Sequence, residues 1–400
     1  MDEGKRTKKN IWNDDDGVKR PAKEKKSWKG LFGFLVFFLI LLVVLGIVML
    51  AAYRDGTGFD VLRRYLHYGG AEKAGVESVY DYDASLSNRF AVLDDHLVVL
   101  SNIGLEVLSP DGETVWEKSL NLSSPALDAG GERAVAYDVG GTLLYVVDQY
   151  GEVLKLDTDE DRIIAANLNK EGWLSVTAEK SGYKGSVRVY NPEMELVFEF
   201  NSSRRFVTDA CVVGEGKRLA AVTLGQEDGA FVSNVVLYEL SETEPKADYD
   251  ITDSLLIAVE TQGEKVLTVT DANLTMADVD GKVTGSYGFA GSFLREFDLN
   301  GEGFAVLQLN RYQSGSMGRL VSVGTDGTEL GVLDINEEVL DISAAGRYVA
   351  VLYADRVVVC NPDLQVYASL TGTDQARGVL MRPDGSVLIL GAESAKLFLP

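Results

Sequence analysis

The sequence predicts an all-β fold, a β-propeller of eight four-stranded blades, preceded by one transmembrane helix. Three observations carry this reading. Short β-rich runs alternate with Gly, Asp and Asn turns from residue 77 onward, a turn landmark recurs about every 40–45 residues, and an uncharged run lies near the N-terminus.

The uncharged run is Leu31 to Tyr53, LFGFLVFFLILLVVLGIVMLAAY. At 1.5 Å per residue a helix of this length covers about 34 Å, against a hydrocarbon core of roughly 30 Å. Its apolar core exceeds that of a signal peptide, and Val48-Met49-Leu50-Ala51-Ala52 lacks the small outer residue of a cleavage site. Residues 1–30 hold ten Lys/Arg, with a net charge of +4, and Trp28 sits at the entry between Lys26 and Lys29. The excess of flanking cations predicts a cell-membrane protein with a cytoplasmic N-terminus and an extracytoplasmic body. Residues 1–30 read as a basic disordered tail, 31–53 as the span, 54–76 as a juxtamembrane spacer with a short helix, and 77–400 as the propeller.

The propeller repeat is strand, turn, strand, polar break, strand, tight turn, strand. Its landmark turns are Asp111-Gly112, Tyr150-Gly151, Asn191-Pro192, a degenerate copy near Ser241, Asp280-Gly281, Asp326-Gly327 and Asn361-Pro362. Gly supplies positive φ and Pro presets φ in such turns. Runs such as Tyr145-Val146-Val147 and Val357-Val358-Val359 are apolar on both faces, as stacked sheets require. After the seventh landmark, GVLMRPDG, SVLILGAES and AKLFLP supply three strands with no fourth. Glu77–Ser85 supplies a strand with no preceding three. The two ends are therefore expected to share an eighth blade, closing the ring and removing an open edge. Seven blades is the alternative count, and two stacked β-sandwiches the alternative fold.

Composition narrows function by exclusion. The chain has 400 residues, 46% hydrophobic and 25% charged, which is globular rather than disordered. Two Cys and two His leave no material for a disulfide framework, a Cys-rich metal site or His-based catalysis. A net charge of −23, and about −27 beyond the basic head, argues against nucleic-acid binding. Asp157, Asp159 and Asp161 alternate like the start of a calcium loop. The sixth and twelfth positions are Arg162 and Leu168, where such a loop needs Gly and Glu, so the stretch reads as a solvated turn. Cys211 and Cys360 fall in distant blades and read as buried inert thiols; His67 and His96 read as surface residues. No catalytic, metal or cofactor residue stands out, and G-x-S-x-G, H-E-x-x-H and G-x-x-x-x-G-K-[ST] are all missing from the sequence. Asp111 to Trp116 resembles a docking-Trp turn of quinone-dependent dehydrogenases, yet the other repeats place Leu154, Val197 or Val366 near that position. The loop Gly182-Tyr183-Lys184-Gly185 displays an aromatic and a cation, which makes Tyr183 and Lys184 the candidate recognition loop; the plain alternative is a hairpin turn with Tyr183 packed on a neighbouring blade.

YDVGGTLLYVVD (Tyr137–Asp148) and GWLSVTAEKSGYKGSVRVYN (Gly172–Asn191), on a body behind one N-terminal span, resemble the bacterial family called domain of unknown function 5711. The resemblance implies a membrane-anchored PQQ-like or WD40-like propeller, found mostly in Gram-positive bacteria, with no established activity and no catalytic residues to carry over. Repeated Gly-His and Trp-Asp pairs are missing, so the chain departs from strict WD40 repeats. The expected function is a non-enzymatic binding or scaffold module for protein or cell-envelope partners, without a cofactor and without nucleic acid. The alternatives are a degenerate propeller enzyme, quinoprotein-like oxidoreductase or hydrolase, and a ligand sensor.

Overall fold

The computed structural model describes residues 28–54, 76–227, 230–251 and 254–400. Residues 1–27 of the basic tail and 55–75 of the juxtamembrane spacer, His67 included, lie outside the described residues, and the last three tail residues belong to the helix. The chain divides into an N-terminal unit ending at Arg54 and a second unit from Asp55 to Pro400.

A single α-helix spans Trp28–Arg54. Its side chains are described from 33 to 48, and Phe34, Phe37, Leu39 and Ile47 are exposed. Among the described residues no helix is long and apolar enough to cross a membrane. The expected transmembrane helix is thus not found among them, because the uncharged run, Leu31 to Tyr53, extends past the described side chains at both ends.

The second unit is an all-β propeller of eight four-stranded antiparallel sheets. Seven blades are consecutive: residues 89–119, 125–157, 163–202, 206–251, 256–288, 293–335 and 339–371. Each starts at its innermost strand and steps outward. The eighth sheet has the order Val76–Asp81, Ser394–Phe398, Val387–Leu390, Gly378–Met381, so the earliest strand takes the outermost place beside three strands from the C-terminus. Val79 pairs with Lys396, Tyr80 with Ala395 and Asp81 with Ser394. The alternative seven-blade count and the sandwich alternative are thereby set aside. All seven landmark turns join the third and fourth strands of their blades.

Burial follows strand position. The second strands Tyr348–Tyr353 and Phe304–Asn310 are buried along their whole length, and third strands such as Arg356–Cys360 along most of theirs. Fourth strands alternate, as in Glu329–Ile335, because one side meets solvent. The apolar side chains form clusters between successive blades rather than one central core. One joins Phe304, Val306 and Leu320 to Val349, Val351 and Cys360 of the next blade. Burial pushes the Cys360 thiol up to about 12 and the Cys211 thiol well above its ordinary value, so both are protonated, inert fillers.

Tryptophan meets glycine at two blade boundaries. A Cβ on Gly151, at φ 126°, would lie 2.6 Å from Trp116 Cδ1 of the preceding blade. A Cβ on Gly216 would lie 2.3 Å from Trp173 Cζ2. Each indole thus rests on bare backbone, and only glycine leaves the space.

Two substitutions test this packing. Gly151→Ala combines a clash with an unfavourable φ and is expected to lower stability by about 2 kcal/mol or more, read from the urea midpoint. Tyr80 is fully buried beside Leu97 and Leu397. Tyr80→Ala is expected to cost about 3–5 kcal/mol, and a wild-type midpoint would show that the first strand contributes nothing to the eighth blade.

Candidate functional site

The innermost strands surround a central channel. Their outer edges pair with second strands, which leaves a row of backbone N–H and C=O groups on the inner edges. Side chains from neighbouring blades fill that need. Asp128 Oδ2 accepts the Leu168 N–H at 2.7 Å, Asp298 Oδ2 the Ala344 N–H at 2.8 Å, and Asp341 Oδ2 the Val379 N–H at 2.7 Å. Ser343 Oγ accepts the Met381 N–H at 3.0 Å. In the other direction Asn167 Nδ2 donates to the Ala210 carbonyl at 2.8 Å and to Asp209 Oδ1 at 2.6 Å, and Asn169 Nδ2 donates to the Val212 carbonyl at 3.0 Å.

This stitching draws carboxyl groups together. Asp128, Asp209, Glu260, Glu296, Asp298 and Asp341 all lie on innermost strands and are half-buried. Burial raises all six pKa values; Asp209 is pushed up to about 6 and Glu296 up to about 8. Glu296 and Asp341 lie within hydrogen-bonding reach of one another, and Asp341's charge is the next cause after burial of the Glu296 shift. Like charges this close share a proton. Among the described residues no group of three or more His, Cys, Asp and Glu is arranged to hold a metal ion.

The channel opens at both ends. We call the end that carries blade-to-blade connections and second-to-third strand loops the upper face, and the end with the remaining hairpin turns the lower face. The lower mouth is a cavity of ≈ 670 Å³ lined by Asp95, Glu132, Lys170, Asn300 and Arg382. The upper mouth is a cavity of ≈ 720 Å³ lined by Asn88, Arg89, Glu296, Asp341 and Arg377. Phe90, Asp298, Ser343 and Leu380 line both and mark where the halves meet.

The two faces differ in their loops. Leu86, Ile103, Val139, Tyr183, Phe206, Phe231, Leu255, Ile257, Phe293, Tyr312, Met317 and Leu340 are exposed at upper-face positions. On lower-face turns Tyr150 alone among the described residues is an exposed large apolar residue. The others on the propeller belong to outermost strands, and of these Leu196, Val283 and Val366 begin their strands at the lower end. The candidate loop residues Tyr183 and Lys184 both lie on the upper face. Tyr183 is exposed rather than packed on a neighbouring blade, while the Lys184 ammonium sits 4.3 Å from the ring centre of Phe206 in the next blade.

Other expectations resolve plainly. Asp161 accepts a 2.7 Å bond from Arg188, and Asp157 accepts the Asp159 N–H at 3.1 Å, so the alternating acids form a tied turn. His96 differs from its reading as a surface residue without a partner. It is half-buried at the start of a second strand, with Nδ1 2.7 Å from Asp95 Oδ1. Sequence reasoning missed the channel carboxylates, although a signal existed: PALDAG, TDACVV, AVETQ, REFD and LDIS each place an acid in the first strand of a repeat.

A family model matches residues 68–365. The chain belongs to the family of unknown function DUF5711. No curated protein matches it. Among solved structures, this DUF5711 propeller is similar to the computationally designed Ika8 protein, with TM-score 0.60 and 14% identity over 81% of this chain and 100% of that one. It is similar to the C-terminal WD40 domain of Sif2, with TM-score 0.58 and 14% identity over 82% and 100% of the two chains. BamB from Moraxella catarrhalis gives TM-score 0.51 and 12% identity over 82% and 100%. At these identities the likeness establishes the PQQ-like and WD40-like propeller fold alone.

The carboxyl groups make stability depend on pH. Each is protonated more readily in the folded chain than in the unfolded one, so the native state binds more protons. Stability is therefore fully present below the ordinary carboxylate range and is lost as pH rises through the folded values, about 6 for Asp209 and about 8 for Glu296. The urea midpoint of the full chain is expected to fall from about pH 5 to about pH 8, and Glu296→Gln is expected to flatten the upper part of that fall.

Proposed function

We propose that this protein is a non-enzymatic binding or scaffold module, anchored in the cell membrane by its N-terminal helix, that presents the upper face of its propeller to a protein or cell-envelope partner. The one-sided distribution of exposed apolar side chains carries this reading. Single exposed apolar residues are ordinary on any surface; their concentration on one end of the ring, across blades three to seven, marks an interaction face. Tyr183, Phe206, Phe231, Phe293 and Tyr312 are large amphipathic or aromatic anchors of the type that dominates interfaces. The rigid scaffold beneath lets loops vary without disturbing the ring.

Anchoring rests on the uncharged run Leu31 to Tyr53 and the ten cations before it. In this reading the N-terminus is cytoplasmic and the propeller extracytoplasmic. The pairing of Val76–Asp81 with Ser394–Phe398 serves as the closure of the ring, holding the eighth blade with strands from both ends of the propeller.

Photocrosslinking in intact cells tests the interaction face. A photoreactive residue at Phe206 or Tyr312 is expected to give a discrete adduct, and one at Leu196 or Val366 is expected to give none. The double change Phe206→Ser with Leu340→Ser is expected to reduce the Tyr312 adduct about tenfold or more without shifting the urea midpoint. Adducts confined to the outer strands, or substrate turnover by the purified chain, would overturn the proposal.

A further inference from the structure

The upper cavity contains more acceptors than its own donors satisfy. Glu296, Asp298 and Asp341 line its inner part and are half-buried, whereas Arg89 and Arg377 line it with exposed side chains. Two buried acceptors lack partners, one on the cavity wall and one on the strand paired with that of Glu296. Asn88 Oδ1, on the cavity wall, has no hydrogen-bond partner among the described residues, its amide nitrogen being used on the Asp83 carbonyl at 2.9 Å. Gln308 is 2% exposed, and its Oε1 also has no partner among the described residues. Gln308 is the direct cross-strand partner of Glu296, so both side chains lie on the same sheet face, toward the seventh blade.

An unpaired buried acceptor costs about 1–3 kcal/mol. One on the wall of a cavity that also holds a carboxyl pair calls for a positively charged donor with several N–H groups. The carboxyl groups do not converge as metal ligands do, and a primary ammonium, with three divergent donors, suits such a spread better than a small ion. The opposite charge on the exposed rim fixes the other end of the ligand, because guanidinium groups pair with carboxylates. The cavity of ≈ 720 Å³ lies within the usual range for small-molecule sites.

We propose that the upper cavity binds a small zwitterion of the amino-acid class, its ammonium group held inward by Glu296 and Asp341 with Asn88 as a further acceptor, and its carboxylate held at the rim by Arg89 and Arg377. This goes beyond the partner-docking reading and stands without it. The groups facing Glu296 are Asp341 and Asp298, with Arg295 as the opposing charge and Gln308 across the strand pair. Because Glu296 is held protonated into the neutral range, an incoming ammonium displaces that proton. Affinity therefore rises with pH up to about 8, and one proton appears in the buffer on binding.

The test is calorimetric titration of the full chain with 6-aminohexanoate and, separately, with hexylamine. We expect one site per chain, with 6-aminohexanoate tighter than hexylamine. Arg89→Gln with Arg377→Gln is expected to remove that difference while leaving hexylamine unchanged. Glu296→Gln with Asp341→Asn is expected to weaken both ligands by about tenfold or more and to abolish proton release. Gln308→Met separates folding from binding: it removes an unsatisfied acceptor outside the cavity lining, so its urea midpoint is expected to stay level or rise while affinity for both compounds is unchanged. No heat with either compound, equal binding by the carboxyl variant, or displacement of both by stoichiometric calcium chloride would overturn the proposal.

Discussion

Eight free strand edges meet around one axis, and their backbone groups must be satisfied. In a barrel the strands would pair with one another; here the blades stand side by side, and the inner edges face a channel. The answer is a side chain from the neighbouring blade. Asp128, Asp298, Asp341 and Ser343 accept N–H groups, while Asn167 and Asn169 donate to carbonyls. These bonds also set blade spacing, since each one ties a side chain of one sheet to the backbone of the next.

That solution has an electrostatic consequence. Carboxylates are the best acceptors for exposed N–H edges, so they accumulate where the edges converge. The channel gathers like charge out of bulk water, and protonation relieves it. The protein already carries −23, so its surroundings provide little compensating positive charge. A structural need for acceptors thus leaves a polar, acid-rich channel open at both ends.

Packing between blades is handled by a separate device. Flat apolar faces pack in pairs, and Trp116 and Trp173 settle on glycine backbone at the boundaries. Since the scaffold is fixed by buried second and third strands, the loops carry little structural duty. The exposed aromatic and aliphatic residues on upper-face loops, such as Tyr183 and Tyr312, are therefore not needed by the fold. Lys184, on one such loop, lies over Phe206 at the start of the next blade's innermost strand.

The blade count, the landmark turns and the sharing of the eighth sheet were legible in the sequence because strand alternation and turn chemistry are local. Asp-Gly and Asn-Pro demand particular backbone angles wherever they occur, and Tyr145-Val146-Val147 demands burial on both faces. The acids of LDIS and REFD were visible but mute: nothing in one strand tells which N–H of another blade its carboxylate will meet. The pairing of Glu296 with Asp341, the orphaned oxygen of Gln308 beside them, and the gathering of Tyr183, Phe206 and Tyr312 on one end of the ring arise only when residues distant in sequence are brought around the axis. Local chemistry wrote the repeat; the circular arrangement, which fixes relations between blades, decided the site.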